Sequence, residues 1–227
     1  MTKRQKLQYI WDYYKLAIAA ICIAVYVIIY IIYGHYTHKD TALYTALVNV
    51  NAGENLTDQL SNGFLESQSI NTAKNKLNLY SGLYLTNDEN SIYHEYTYAS
   101  RMKILATIDS EQLDIAIMDK EAFDTFSQNG YLCDLDSLLS SEAPKLYKKL
   151  KPFLVKNITI LEDNSIDLVF DNSLVYKATT EEYTMGLDLS SSPAIHNAGF
   201  SETIYLGIIK NTPRKDIVIE YLKYLFC

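Results

Sequence analysis

The sequence predicts an α/β protein: an N-terminal transmembrane helix, then a mixed, largely parallel sheet flanked by helices, with a small antiparallel subregion. Three observations lead there. Residues Leu16 to Tyr33 form an uncharged apolar run. From Ala42 to Leu135, short apolar segments alternate with helix-like patterns. Beyond Pro152, β-rich runs are punctuated by turn-prone Asp, Asn and Ser.

The apolar run LAIAAICIAVYVIIYIIY would extend about 27 Å as a helix, the thickness of a bilayer core. A helix apolar on every face has no side to present to water, which disfavours a soluble core helix. The run also outlasts the apolar region of a cleaved signal peptide, about 7–15 residues, because it continues through Ile28, Ile29, Tyr30, Ile31 and Ile32. Cys22 follows Ala19-Ala20-Ile21, a partial match to a lipoprotein signal that Ile21 spoils, so it reads as an ordinary apolar residue in lipid.

Lys3, Arg4, Lys6 and Lys15 precede the run against a single Asp12, which places the N-terminus in the cytoplasm by the positive-inside rule. Trp11, Tyr13 and Tyr14 on one side, and Tyr33 and Tyr36 on the other, stand where interfacial aromatic belts stand. The organisation expected is a basic cytoplasmic tail (1–15), a transmembrane helix (16–33), a linker (34–40) and an extracytoplasmic α/β domain (41–227). Within the span, Cys22, Tyr26, Tyr30 and Tyr33 share a stripe opposite Ala17, Ala20 and Ala24. Either stripe suits helix docking, and an isolated anchor tolerates both.

Of the 227 residues, 48% are apolar and 21% charged, enough for both a core and a soluble surface. From Gly34 onward, 16 Lys and Arg face 26 Asp and Glu, a balance of −10 that argues against nucleic acid as a partner.

ALYTALVNV (42–50) reads as the first strand, closed by Asn51-Ala52-Gly53. A helix follows, with Asn55 as its cap and Leu56, Leu60, Phe64 and Leu65 on one face. KLNLYSGLYL (76–85) returns as a strand, and YTYASRMKILATIDSEQ (96–112) puts Tyr98, Met102, Leu105 and Ile108 at helical spacing. LDIAIM (113–118) has the short, nearly all-apolar character of a parallel strand buried on both faces. Asp119 ends it. KEAFDTFSQNG is a helix with Ala122, Phe123 and Phe126 inward and Gly130 just past its end, and YLCDL is the next short apolar segment. Further on, NITILEDNSIDLVFDNSLVYKA reads as an antiparallel meander, YTMGLDLSSSP and ETIYLGIIK as strands, and Pro213 opens a last helix bearing Ile217, Tyr221, Leu222 and Leu225.

In such an architecture, ligands meet the loops at the carboxyl ends of strands. The candidates by position are Asn51 and Glu54 after the first strand, Asp119 after the buried one, and Ser190, Ser191 and Ser192 before Pro193. The competing reading of Asp119 is a helix N-cap, and of the serines a plain surface loop. No metal or cofactor set is expected: Glu162, Asp163, Asp167 and Asp171 match no calcium-loop spacing, and the four histidines show no ligand-like pairing. Cys133 reads as core packing, with pairing to Cys227 open if the fold brings them within reach. No catalytic residue is assigned, since no nucleophile elbow or phosphate loop surrounds Cys133, Ser190–Ser192, His94 or His196.

MKILATIDSEQLDIAIMDKEAFDTFSQNGYLCDLDSLL and YLGIIKNTPRKDIVIEYLKYL resemble two blocks of extracytoplasmic solute-binding proteins of the two-lobed periplasmic-binding fold. The first resembles their core helix, DI(A/V)I strand and following helix, and the second their closing strand and Asn-Thr-Pro-initiated helix. Two departures accompany the likeness. The second lobe shrinks to little more than the 157–189 strands, and a membrane helix replaces a lipid anchor. The resemblance implies a receptor or accessory subunit of a membrane transporter, not an enzyme. Expected partners are lipid along residues 16–33, transporter membrane subunits and a small-molecule ligand. The alternatives are an interaction module that binds no ligand and holds a membrane complex together, and an extracellular hydrolase.

Overall fold

A computed structural model describes residues 3–171 and 173–226. The chain divides into two compact units, residues 1–40 and 41–227. The first is α1 (Lys3–Thr37), in which the stretch Tyr13–Gly34 is long and apolar enough to cross a membrane.

The second unit runs β1 (Asp40–Val48), α2 (Glu54–Asp58), a π turn (Gln59–Gly63), α3 (Phe64–Ser67), β2 (Asn75–Leu83), α4 (His94–Asp109), β3 (Ile115–Met118) and α5 (Lys120–Gln128). It continues with α6 (Leu135–Glu142), α7 (Pro144–Leu150), β4 (Leu154–Asp163), α8 (Ser165–Phe170), β5 (Ala178–Asp188), α9 (Pro193–Ala198), β6 (Tyr205–Ile208) and α10 (Lys215–Phe226). The strands form one sheet in the order β2-β1-β3-β6-β5-β4.

Side chains alternate across a strand, and the two faces separate accordingly. Leu43, Leu47, Ile115, Ile117, Leu206 and Ile208 share one core with residues of α3, α6, α7 and α10. Ala46, Val48, Ala116, Met118 and Met185 share the other with residues of α4 and α5. Helices therefore cover both faces, and β3 is buried along its whole length.

The sheet is mixed but not largely parallel. β1 and β3 are parallel, while β3–β6, β6–β5 and β5–β4 are antiparallel. In the second half of the chain each strand reverses the direction of the one before it, with α8 at the turn between β4 and β5 and α9 at the turn between β5 and β6, so those neighbours pair antiparallel.

Four local expectations also change. YLCDL contributes only the Leu132–Ile209 bridge, because Asp134 caps α6, accepting from the Asp136 amide at 3.2 Å and the Ser137 hydroxyl at 2.6 Å. The expected meander is a single long hairpin, and its IDLVF segment lies in α8. There the Asp163 carboxylate accepts from both the amide and the hydroxyl of Ser165, an Asx turn that starts the helix. The N-cap of α2 is Gly53, and Asn55 lies inside the helix.

Finally, α4 buries Thr97, Ser100, Ile104 and Ile108, leaving Tyr98, Met102 and Leu105 exposed. The chain after β2 explains that rotation. The amides of Tyr84 and Thr86 lie where no strand receives them, and the Ser100 and Thr97 hydroxyls accept them at 3.0 and 3.3 Å. Satisfying part-buried backbone donors outranks burying three more apolar side chains.

Candidate ligand site

The carboxyl ends of β1 and β3 lie together because those strands are parallel. Asn49 leaves β1 in the left-handed region, at φ +58°, which Asn tolerates better than most residues. Its side chain clasps the backbone of Leu85, donating to the carbonyl at 2.7 Å and accepting from the amide at 2.8 Å. The same Nδ2 donates to both Asp119 oxygens at 3.1 Å.

Asp119 is the N-cap of α5, its Oδ1 accepting from the Ala122 amide at 2.9 Å. Burial lifts its carboxyl above the ordinary aspartate range, the bonds from Ala122 and Asn49 oppose that rise, and nearby Glu121 and Glu202 add to it. The carboxylate that position marked as a ligand contact is thus occupied by the protein's own donors.

The other candidates fall apart from it. Asn51 and Glu54 are exposed. The Ser190 amide donates to Asp188 Oδ1 at 2.8 Å, and Ser191 is exposed. Ser192 is buried, its hydroxyl donating to the Leu225 carbonyl at 2.9 Å and tying the loop to α10. Among the described residues, no hydrogen bond joins any of these to Asp119. Sequence reading passed over Asn49, although an Asn directly after a strand and before a turn is the available signal for a left-handed position.

By removing the cap and the acceptor of the Asn49 amide together, Asp119→Ala is expected to cost about 0.5–2 kcal/mol. Titration supplies a separate check on this carboxylate. Its folded pKa lies above the ordinary value, so the folded state holds its proton more tightly than the unfolded chain does. This group's contribution therefore falls as pH rises from 3.8 through the folded pKa, and recovers on acidification. Urea unfolding across that window in wild type and Asp119→Asn reads the difference.

A cavity of about 470 Å³ lies elsewhere, bounded by β4, β5, β6, α6 and the loops around them. Leu132, Leu161, Met185 and Ile209 supply an apolar wall, and Ser137, Tyr183, Lys210 and Lys215 bring polar groups to it. Its size is that of small-molecule sites, and so is its mixture of apolar wall and few polar groups. Cys133 also lines it, with burial pushing the thiol up to about 12, so it is protonated at neutral pH. Cys227, its conjectured disulfide partner, lies outside the described residues. Among the described residues, no cluster of His, Cys, Asp and Glu could hold a metal ion.

A cavity of about 350 Å³ lies between α4 and α5, beside Arg101 and Tyr131, and a more open one of about 640 Å³ lies between α7 and α10. None of these three cavities has Asn51, Glu54, Asp119 or Ser190–Ser192 in its wall. No protein-family model matches this chain, and no curated protein matches it.

Proposed function

We propose that this is a single-pass membrane protein whose ectodomain takes a small amphipathic solute, as the receptor or accessory subunit of a transporter. The cavity between the β4–β5–β6 strands and α6 carries that reading. Its apolar wall would bury the body of the ligand, while Lys210, Lys215 and Ser137 would meet a polar end. Lys3, Arg4, Lys6 and Lys15 before the apolar helix support an outward-facing domain.

Calorimetry on the full chain in micelles, with peptides, sugars, amines and amphipathic carboxylates, tests the receptor reading. Leu161 is 52% exposed at the cavity, so Leu161→Trp narrows the opening without disturbing the core. That change is expected to weaken binding at least about tenfold, a loss near 1.4 kcal/mol. A chain that binds nothing, or binding indifferent to Leu161→Trp, removes the proposal.

The second reading, an assembly module, rests on α4, which leaves Tyr98, Met102 and Leu105 exposed on one helical face. Cross-linking in native membranes that finds a lone monomer contradicts it. The hydrolase reading draws no support from the available nucleophiles. Cys133 is held protonated, and the Ser192 hydroxyl is already donated to Leu225.

A further inference from the structure

The hairpin of β4 and β5 ends in an apolar tip that is exposed among the described residues. α8 and the turn after it expose Ile166, Val169, Phe170 and Val175, with Phe170 at 84% and Val169 at 78%. An amphipathic turn that met only water would carry polar residues there. Four large apolar side chains at one projecting tip mark a surface that something else covers.

The sheet's register says where that tip points. One row of paired residues crosses the sheet from Leu47 through Ile117, Leu206 and Leu187 to Leu154. From that row, β1 runs back six residues to Thr41, where the second unit begins. β5 runs parallel to β1, because two antiparallel steps separate it from β3, and it reaches back nine residues to Ala178. The hairpin tip and the entry point of the chain therefore lie at the same end of the sheet. At about 3.3 Å per residue, the hairpin extends roughly 10 Å further along its own axis than β1 before α8 is counted. Sheet twist splays the two strands, which sets the tip to one side of the entry point.

Only His38, Lys39 and Asp40 separate Thr41 from the last residue of α1. That length of chain spans about 14 Å at most. The end of the sheet carrying the tip is thus held within a short tether of the apolar helix. We propose that the α8 tip inserts its Ile166, Val169, Phe170 and Val175 side chains into the interfacial layer of the same bilayer that α1 spans. This gives the domain a second membrane contact. The proposal rests on the reading of α1 as a membrane anchor.

The rim narrows the lipid class. Asp163, Asp167 and Asp171 flank the tip, and hydrogen bonds from Ser165 and Ser173 lower the pKa of Asp163 and Asp171, keeping both ionised. Carboxylates at this depth are repelled by anionic headgroups and accept the ammonium group of zwitterionic ones. The favoured surface is phosphatidylcholine or phosphatidylethanolamine.

The test uses the full chain in phosphatidylcholine vesicles brominated on the acyl chains. Trp11 is the single tryptophan, so wild type reports on α1, and Phe170→Trp with Trp11→Phe reports on the tip. The tip tryptophan is expected to be blue-shifted and to lose most of its emission to bromine, and the loss is expected to shrink when phosphatidylglycerol is added. Asn197→Trp with Trp11→Phe, on α9 at the opposite end of the sheet, is expected to stay unquenched. Quenching of Trp11 alone overturns the tip contact and leaves the anchor intact. Quenching of neither tryptophan overturns the anchor and the tip contact with it. An unquenched tip that cross-links to another protein in native membranes also overturns the proposal, assigning the surface to a protein partner.

Discussion

Asp114→Ala is expected to lower the stability of the ectodomain by about 3–5 kcal/mol, the range for breaking a buried, hydrogen-bonded ion pair. The carboxylate is fully buried just before β3. It accepts from the Tyr44 amide and from Arg214 Nε, each at 2.8 Å, and from the Thr212 hydroxyl. Arg214 also lies over the Tyr44 ring at 4.7 Å and donates to the Glu111 carbonyl. One side chain therefore fastens β1, β3 and the β6–α10 turn together. Alanine leaves the Tyr44 amide and a largely buried guanidinium without their acceptor, and the cost lies chiefly in those stranded donors. Asp114→Asn, which still offers one acceptor oxygen, is expected to lose less. Urea unfolding of the full chain in micelles, followed by circular dichroism, gives the order wild type, Asn, Ala. An alanine variant within about 1 kcal/mol of wild type would contradict this account, since that is what a surface pair contributes.

The Asp114 clasp joins the stretches 102–139 and 203–226, and it marks what sequence pattern can carry. The buried strand Ile115–Met118, the Asp119 cap and Gly130 at φ +67° all stand where the residues foretold, because each is set by its neighbours in sequence. Asp114 itself was invisible. An aspartate beside an apolar run looks like a strand end, and its partners lie 70 to 100 residues away. The face of α4 failed for the same reason, since Thr97 and Ser100 are turned inward by backbone donors of another segment. The tip of the β4–β5 hairpin failed differently. IDLVF has the composition of a strand, but two Asx turns, at Asp163 and Asp171, bracket it into a helical turn. The cavity draws its wall from the separated stretches 130–142, 159–161, 183–185 and 208–215, so no local motif announces it.

Packing across β5 gives the second large effect. Phe123 is fully buried on α5, its ring stacked on Tyr205 at 4.9 Å between centroids, and Phe123→Ala is expected to cost about 3–5 kcal/mol. The ring fits because position 186 carries no side chain. A Cβ on Gly186 would stand 2.7 Å from two ring carbons, closer than carbon atoms approach. Gly186→Ala must then move either α5 or β5, and an aromatic ring stacked on a second ring has no free rotamer to yield, so about 1–3 kcal/mol is lost. The two losses share one cause and cannot add. With Phe123→Leu already in place, a methyl at 186 enters space the ring has left, and Gly186→Ala is expected to be close to neutral or stabilising. A double-mutant cycle by urea unfolding measures that coupling. Equal costs of Gly186→Ala in wild type and in the Phe123→Leu background would show that the glycine serves the backbone of β5 and not the ring, and the close fit of α5 on the sheet would lose its explanation.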